Sequence, residues 1–212
     1  MNDNRKIPPP IFTPDNEPYI GRQSVYHFDQ IILACLEANA KVAYFTKTHE
    51  LSELQKAACQ IIPQGINLGL SIRELVRQGY LFAAGVLLRS LIERAAIISY
   101  LYRNPDAVSL WHGGWKFRKR PSLQEMLATM GEQARYPEAQ KVCETFNHIV
   151  HGDPIGASFN LVDLGDGGLG YSVGKVLNRA DLCDFICSQS CSYLIVISAM
   201  MVACFPESSM QN

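Results

Sequence analysis

The residues best suited to chemistry lie near the middle of the second half of the chain, between Val142 and Pro154. Asn147 and His151 are four residues apart, so they would share one face of a helix, and His148 would lie one position round from Asn147. The stretch closes with a glycine and a proline, residue types that end helices. The spacing therefore predicts an amide and two imidazoles at the C-terminal end of an amphipathic helix.

A second polar pair, Arg89 and Glu93, interrupts the otherwise apolar run from Tyr80 to Tyr102. Four residues apart on a helix, the two side chains would share a face. Burying either charge alone would be costly, so each needs a partner. Two interpretations are open. The pair belongs to an ion-pair or hydrogen-bond network that fixes helix register, or Arg89 holds a phosphate or orients a catalytic group.

Together these side chains match the needs of RNA cleavage without a metal. A histidine that titrates near neutrality can remove a proton from a ribose 2′-hydroxyl or give one to a leaving oxygen. A guanidinium and an amide can stabilise the phosphate between them. The structural alternative is that His151 bonds a backbone carbonyl near the helix end and Asn147 satisfies a neighbouring helix.

The composition indicates one globular core with little charge. Of the 212 residues, 48% are hydrophobic and 18% are charged, which favours largely buried helices or an additional apolar interface, for example with a second copy. The 19 basic side chains nearly balance the 20 acidic ones. No global field therefore attracts nucleic acid, and any such contact must come from a local patch.

One local patch is the run from Trp111 to Arg120, which mixes aromatic and basic side chains. Aromatic stacking with cationic phosphate contacts would suit single-stranded nucleic acid. The alternative is a surface connector whose tryptophans insert into the bundle. The candidate nucleic-acid-binding residues are Lys116, Arg118, Lys119, Arg120 and, outside this run, His148.

The cysteines and the termini predict a cytoplasmic protein with no membrane attachment. Seven cysteines in no framework-like spacing fit a reducing compartment. The apolar segment Cys191–Phe205 is shorter than the roughly 20 residues that a membrane-spanning helix needs. Cys183, Cys187 and Cys191 recur every four residues, and we interpret them as small buried hydrophobes. We expect no metal site and no other cofactor.

The pattern of apolar residues, caps and breakers predicts a single helical domain over 21–205, preceded by an extended proline-rich arm over 1–20 and followed by a short tail over 206–212. The first helix is expected to start at a Ser24 cap, and the second to be kinked or interrupted at Pro63. The central helix should end at Asn104-Pro105.

The second half of the domain is expected to hold shorter elements. Asp106 should open a short helix, and Ser122 with Glu125 has the form of a capping box. Pro137 is expected in the first turn of the histidine-bearing helix. Alternating residues around a glycine-rich turn within 157–176 predict a small β-hairpin, and Asn178 is expected to cap the final helix.

Two short motifs resemble those of the HEPN superfamily of helical bundles, especially bacterial branches with an Arg-x-x-x-Glu helix and a later His-Gly. They are the run from Arg89 to Glu93 and the run from Asn147 to Gly152. The resemblance implies an all-α bundle of about five to seven helices. Active members of the superfamily are ribonucleases, many in toxin–antitoxin or antiviral systems, and a dimer brings two copies of the motif into one cleft.

The usual signature of that superfamily is an arginine followed four to six residues later by a histidine, often with a polar residue directly after the arginine. His151 takes the histidine place here and Asn147 the polar place, whereas Phe146 stands where the arginine is expected. Arg89 from the central helix is the candidate for the missing cation.

The resemblance thus implies a homodimer that binds or cleaves RNA without metal, in bacterial stress or phage defence. His151 would be the acid/base, Asn147 would orient the phosphate or ribose, Arg89 would stabilise charge and Glu93 would position Arg89. The alternative, which Phe146 favours, is a non-catalytic interaction or dimerisation module that partners another protein.

Overall fold

The computed structural model describes most of the chain between residues 17 and 209. The described residues are 17–115, 120–130, 141, 144–145, 147–148, 150–151, 153–154, 161–171, 173–176 and 179–209. Most of the expected proline-rich arm lies outside them. So do Lys116, Arg118, Lys119, Pro137, Phe146, Gly152 and Asn178.

The architecture is an all-α bundle with a small antiparallel hairpin before the last helix, which confirms the predicted fold class. Within the described residues there are six α-helices. They are α1 (Gln23–Thr48), α2 (Glu53–Gln78), α3 (Leu81–Arg103), α4 (Asp106–His112), α5 (Leu123–Ala128) and α6 (Ala180–Cys204). The hairpin consists of β1 (Leu161–Gly165) and β2 (Gly168–Tyr171), and Pro206–Ser209 forms a 3-10 turn after α6.

A further helical stretch lies between α5 and the hairpin. Residues 141, 144–145, 147–148 and 150–151 are helical, and the described residues from 141 to 154 are called the histidine segment below. The backbone N–H of Asp153 donates to the carbonyl of His148 at 3.1 Å. This six-to-one spacing closes the C-terminal end of many helices. Asp153 is not helical, so this helix ends between His151 and Asp153, where the sequence predicted an end; Pro154, predicted to prevent further helix, is helical again.

The central helix α3 packs against α2, α5 and α6. Leu88, Leu91, Ile92 and Ala95 are fully buried on its inner side. Its boundaries follow from local sequence: Gly79 adopts a left-handed φ of 85° before it, and Asn104-Pro105 follows its last residue. The prediction of a central apolar helix ending at this position is confirmed.

Pro63 was predicted to kink or interrupt the second helix; it does not interrupt it, because α2 continues through it as one element. Small residues one turn apart allow α2 to lie close to α6. A Cβ on Gly65 would sit 2.3 Å from Cδ1 of Ile197, and one on Gly69 would sit 3.0 Å from Cδ1 of Leu194. The close packing of α2 on α6 outweighs the local cost of a proline inside the helix.

The prediction that Ser24 caps α1 is also wrong. The helix begins at Gln23 after Arg22, and no side chain caps it. The Ser24 hydroxyl instead donates to the carboxylate of Asp184 on α6, which also accepts from Arg22. The Ser24 hydroxyl therefore bonds the carboxylate of a long-range ion pair and does not cap α1.

Two capping boxes occur in the described helices, and one of them was predicted. The one at Ser122 and Glu125 is confirmed, with reciprocal side-chain and backbone bonds that open α5. A second box was missed: Ser52 and Gln55 cap α2 in the same way. Glutamine serves at the third position as well as glutamate does.

Three chain segments meet at the turn between α2 and α3. The N–H of Val176 donates to the carbonyl of Gly79 at 2.8 Å. The hydroxyl of Tyr19 donates to the carbonyl of Val176. The turn before α1, the turn before α3 and the irregular segment before α6 are therefore fixed to one another by backbone and side-chain hydrogen bonds.

Helix α6 is the most apolar element and packs against α1, α2 and α3. It starts at Ala180, well before Cys191–Phe205, the segment from which the sequence predicted no membrane-spanning helix. Within the described residues it is the one helix long and apolar enough to cross a membrane by length and composition, and 39% of its most apolar window is buried.

The hairpin projects apolar side chains into solvent. Leu161 pairs with Tyr171, and Gly165 with Gly168. Asp166 and Gly167 both have positive φ, as a tight hairpin turn requires. The exposed fractions are 69% for Leu164, 73% for Leu169, 80% for Tyr171 and 87% for Val173.

Candidate functional site

The structure brings Arg89 of α3 to Asn147 of the histidine segment. Nε of Arg89 donates to Oδ1 of Asn147 at 2.9 Å. The two residues are 58 positions apart in the chain. Two residues from separate motifs, each predicted as a site residue, thus share one hydrogen bond.

Helical geometry explains how α3 presents this arginine. Leu88 is buried against the bundle, whereas Arg89, one position round, is half-buried. Glu93 lies one turn further along the same half-buried face. The outer face of α3 therefore carries the charged pair, while the inner face supplies core.

Glu93 does not hold Arg89 as predicted. Its carboxylate pairs with the guanidinium of Arg120 and lies 3.9 Å from Nη1 of Arg94. Within the described part of the chain no ion pair joins it to Arg89. Helical side chains lean toward the N-terminus, so an arginine placed four residues before a glutamate reaches away from it.

Toward the described residues, Arg89 uses only part of its hydrogen-bonding capacity. A guanidinium has five N–H groups, and one is donated to Asn147. Among the described residues, no carboxylate forms an ion pair with Arg89, and its Nη groups have no hydrogen-bond acceptor. A half-buried positive charge with free donors is suited to bind an anion.

His151 is exposed, one helical turn beyond Asn147 on the same face. No hydrogen bond or ion pair links it to any of the other described residues. The predicted acid/base residue is therefore accessible to a ligand and is not oriented by a described neighbour.

His148, by contrast, has a side-chain partner. Its Nδ1 lies 2.8 Å from Oδ2 of Asp153. The same two residues share the backbone bond that closes the helix. Asp153 was not singled out in the sequence; its position five residues after His148, just past a helix-ending glycine, is the signal that could have identified it.

The predicted nucleic-acid patch is described only in part. Trp111 and Trp115 are half-buried and pack against the core. The rings of Trp115 and Tyr100 have centroids 6.3 Å apart. Arg120, the one described cation of the patch, pairs with Glu93. Arg120 thus ties the start of the α5 region to the face of α3 that carries Arg89.

The cysteine stripe on α6 packs with the core. Cys183 and Cys187 are buried, and Cys191 is half-buried. Burial raises the pKa of the Cys191 thiol to about 11, which keeps it protonated and a poor ligand or nucleophile at neutral pH. No group of three or more potential metal ligands occurs among the residues that the structure describes.

A groove lies elsewhere, between α1 and α6. Its volume is about 810 Å³, and its lining includes Arg22, His27, Asp184 and Ile195. None of its lining residues belongs to α3 or to the histidine segment. The candidate site is therefore an open surface between α3 and the histidine segment, and the groove is separate from it.

Comparison with protein-family models, with curated proteins and with solved structures finds no match. A function can therefore be argued only from the residues and their geometry.

Proposed function

We propose that this chain is a HEPN-like cytoplasmic protein that binds or cleaves RNA without a metal, in bacterial stress or phage defence. The observation that carries the proposal is the 2.9 Å hydrogen bond between Nε of Arg89 and Oδ1 of Asn147. It brings a cation to the segment in which the superfamily signature would have an arginine and this chain has Phe146.

The bond leaves both partners ready to receive a phosphate. The Nη groups of Arg89 have no acceptor among the described residues. Because Oδ1 of Asn147 accepts from Arg89, the amide nitrogen of Asn147 is left to donate. A cationic donor and a neutral donor side by side suit the non-bridging oxygens of a phosphodiester, and hydrogen bonds to the charged phosphate belong to the stronger, charge-assisted class.

The reaction that these groups fit is an internal transesterification. An imidazole takes the proton of the ribose 2′-hydroxyl, O2′ bonds to phosphorus, and the bond from phosphorus to O5′ breaks while O5′ takes a proton. The products are a 2′,3′-cyclic phosphate and a 5′-hydroxyl. Water and metal ions are not consumed, and His151 is the accessible imidazole on the face that carries Asn147.

The test is cleavage of labelled single-stranded RNA by purified protein in chelator, with product ends identified by mass spectrometry. We expect cyclic phosphate ends, and a loss of about a hundredfold or more for Arg89→Ala and for His151→Ala. Arg103→Ala, on the same helix but at its far end, is the matched control and should cleave like the wild type. Equal rates for all four folded proteins, or no cleavage and no RNA binding by any of them, would reject the proposal.

The second candidate is an interaction module that dimerises, and the hairpin favours it. Four apolar side chains of residues 164–173 are more than two-thirds exposed. A two-stranded hairpin is marginal in water by itself, and contiguous exposed apolar surface marks interaction sites. The partner proposed is a second copy of the chain, which would also place two candidate sites in one assembly.

Sedimentation over a concentration series tests this candidate. We expect a dimer for the wild type and a monomer for the double variant Leu169→Ser, Tyr171→Ser. The double variant Tyr26→Ser, Tyr44→Ser, on the exposed side of α1, is the control and should dimerise like the wild type. A wild-type monomer at all concentrations contradicts it.

A further inference from the structure

The two histidines of the histidine segment differ in their surroundings, and this difference assigns their roles. We propose that His148 takes the proton from the 2′-hydroxyl, that Asp153 is its positioning residue, and that His151 returns a proton to O5′. The assignment rests on the proposed RNA-cleaving function of the same site.

The geometry of His148 fixes which nitrogen is free. Its Nδ1 lies 2.8 Å from Oδ2 of Asp153, so an ionised carboxylate there accepts the Nδ1 proton. In the neutral imidazole that leaves Nε2 as the unprotonated nitrogen. A carboxylate that fixes the tautomer and orientation of a histidine is a general device for preparing a base.

The position of His148 is fixed as well. It directly follows Asn147, whose side chain bonds Arg89 of the rigid central helix. The backbone bond from Asp153 to the carbonyl of His148 holds the other side. His148 is thus placed between the phosphate-binding pair and the closed end of the helix, and its side chain remains 39% exposed, so a ribose can reach it.

A purely structural explanation of the His148–Asp153 pair is weaker. The backbone bond alone closes the helix, and both side chains lie in solvent, with Asp153 50% exposed. Exposed ion pairs add little to stability. The main physical consequence of the side-chain contact is therefore the orientation of the imidazole.

Each bond that forms in this reaction is matched by one that breaks. Nε2 of His148 takes the 2′-hydroxyl proton as O2′ bonds to phosphorus. The bond from phosphorus to O5′ breaks, and a protonated His151 gives O5′ its proton. His148 ends protonated and His151 neutral, and proton exchange with water restores both. Residues three apart on a helix have Cβ atoms about 5–6 Å apart, which allows both imidazoles to reach one phosphodiester.

Asp153→Ala and Asp153→Asn test the assignment with two readouts. At about pH 8, above the ordinary histidine pKa of about 6.5, long-range ¹H–¹⁵N NMR reports the tautomer of His148. We expect the Nδ1–H form in the wild type and in Asp153→Asn, whose amide oxygen can still accept. Asp153→Ala should shift His148 toward the Nε2–H form.

RNA cleavage is the second readout. His148→Ala should lose about 10²–10⁴-fold in kcat. Asp153→Ala should lose about tenfold or more in kcat with an unchanged KM, and Asp153→Asn should recover part of that loss. Thermal melts of each variant show whether it folds.

The outcomes separate this assignment from the function on which it rests. Failure of the wild type to cleave RNA overturns the assignment, and failure both to cleave and to bind RNA overturns the proposed function as well. If the wild type cleaves, then an Nε2–H tautomer at His148, or full activity in Asp153→Ala or His148→Ala, overturns the assignment and leaves the proposed function standing. An unfolded His148→Ala variant does not remove the test, because the wild-type tautomer and Asp153→Ala decide it.

Discussion

The two sides of α3 differ in burial and in polarity. The inner side carries Leu88, Leu91 and Ile92, all fully buried against neighbouring helices. The outer side carries Arg89 and Glu93, both half-buried and each bonded to a residue far away in sequence. Positions only one apart in the chain thus contribute to the buried core on one side and to half-buried polar contacts on the other.

This division indicates how a small bundle can hold a site without weakening its core. Because the inner side is closed by apolar packing, the outer side can keep a charge that is only partly paired. Substitutions at adjacent positions should therefore separate stability from activity, and their sizes can be ranked.

The largest effect is expected on the inner side. Leu88→Ala should lower the free energy of unfolding by about 2–5 kcal/mol, because it removes a buried side chain and leaves a cavity. Arg89→Ala, one residue further, should lower it by less than about 1.5 kcal/mol. Urea denaturation measures both values. Similar losses for the two variants would show that the outer side is part of the core.

The next effect concerns the bond between Arg89 and Asn147. A double-mutant cycle with Arg89→Ala and Asn147→Ala should give a coupling of about 0.5–1.5 kcal/mol in unfolding free energy, as for a part-buried hydrogen bond to a charged group. The same cycle for Arg94 and Asn147, which share no described contact, is the control and should be additive. Additive losses of unfolding free energy in the first cycle would show that Arg89 and Asn147 are not coupled, and would contradict the bond on which the candidate site is based.

A smaller effect is expected for the pair of Glu93 and Arg120. Arg120→Ala should lower the free energy of unfolding by less than about 1 kcal/mol, since its side chain is nearly half exposed. The loss should shrink as salt is raised from low to about 1 M, because screening weakens such pairs. A loss that does not change with salt would indicate that packing, and not charge, holds Arg120.

The smallest effect concerns Asp184, near the start of α6, and depends on pH. Hydrogen bonds from Arg22 and Ser24 hold the pKa of Asp184 below its usual value. The stabilisation is therefore present above the ordinary aspartate pKa of about 3.9 and is lost as pH falls through the lower folded value. Asp184→Asn should flatten the acid side of the stability curve below about pH 4. An unchanged curve would contradict a shifted Asp184.

Local sequence patterns predicted the elements well where a local cause decides the structure. The end of α3 at Asn104, the capping box at Ser122 and the hairpin turn around Asp166 all follow from residues within a few positions. Predictions failed where a distant partner decides. Ser24 bonds Asp184 instead of capping α1, and α2 passes through Pro63 because it packs closely on α6.

The sequence predicted which residues belong to the candidate site better than it predicted which of them contact each other. Arg89 and Asn147 were both candidates from residue type and spacing, and the structure joins them. The pairing of Glu93 with Arg120 could not be read from spacing, since it depends on how the chain returns after α4. The contact of His148 with Asp153 was also missed, although it is local and needs only the turn at the end of one helix.

The junction at Gly79 has a consequence for how the chain folds. It joins Tyr19 to Val176 across 157 residues, and Val176 to the turn between α2 and α3. Closing such long loops has a large entropic cost, so these bonds should form after the folding transition state. Gly79→Ala, strained at a φ of 85°, should then speed unfolding and leave the folding rate nearly unchanged. The junction would form late in folding and would set the unfolding rate, and with it the lifetime of the folded state.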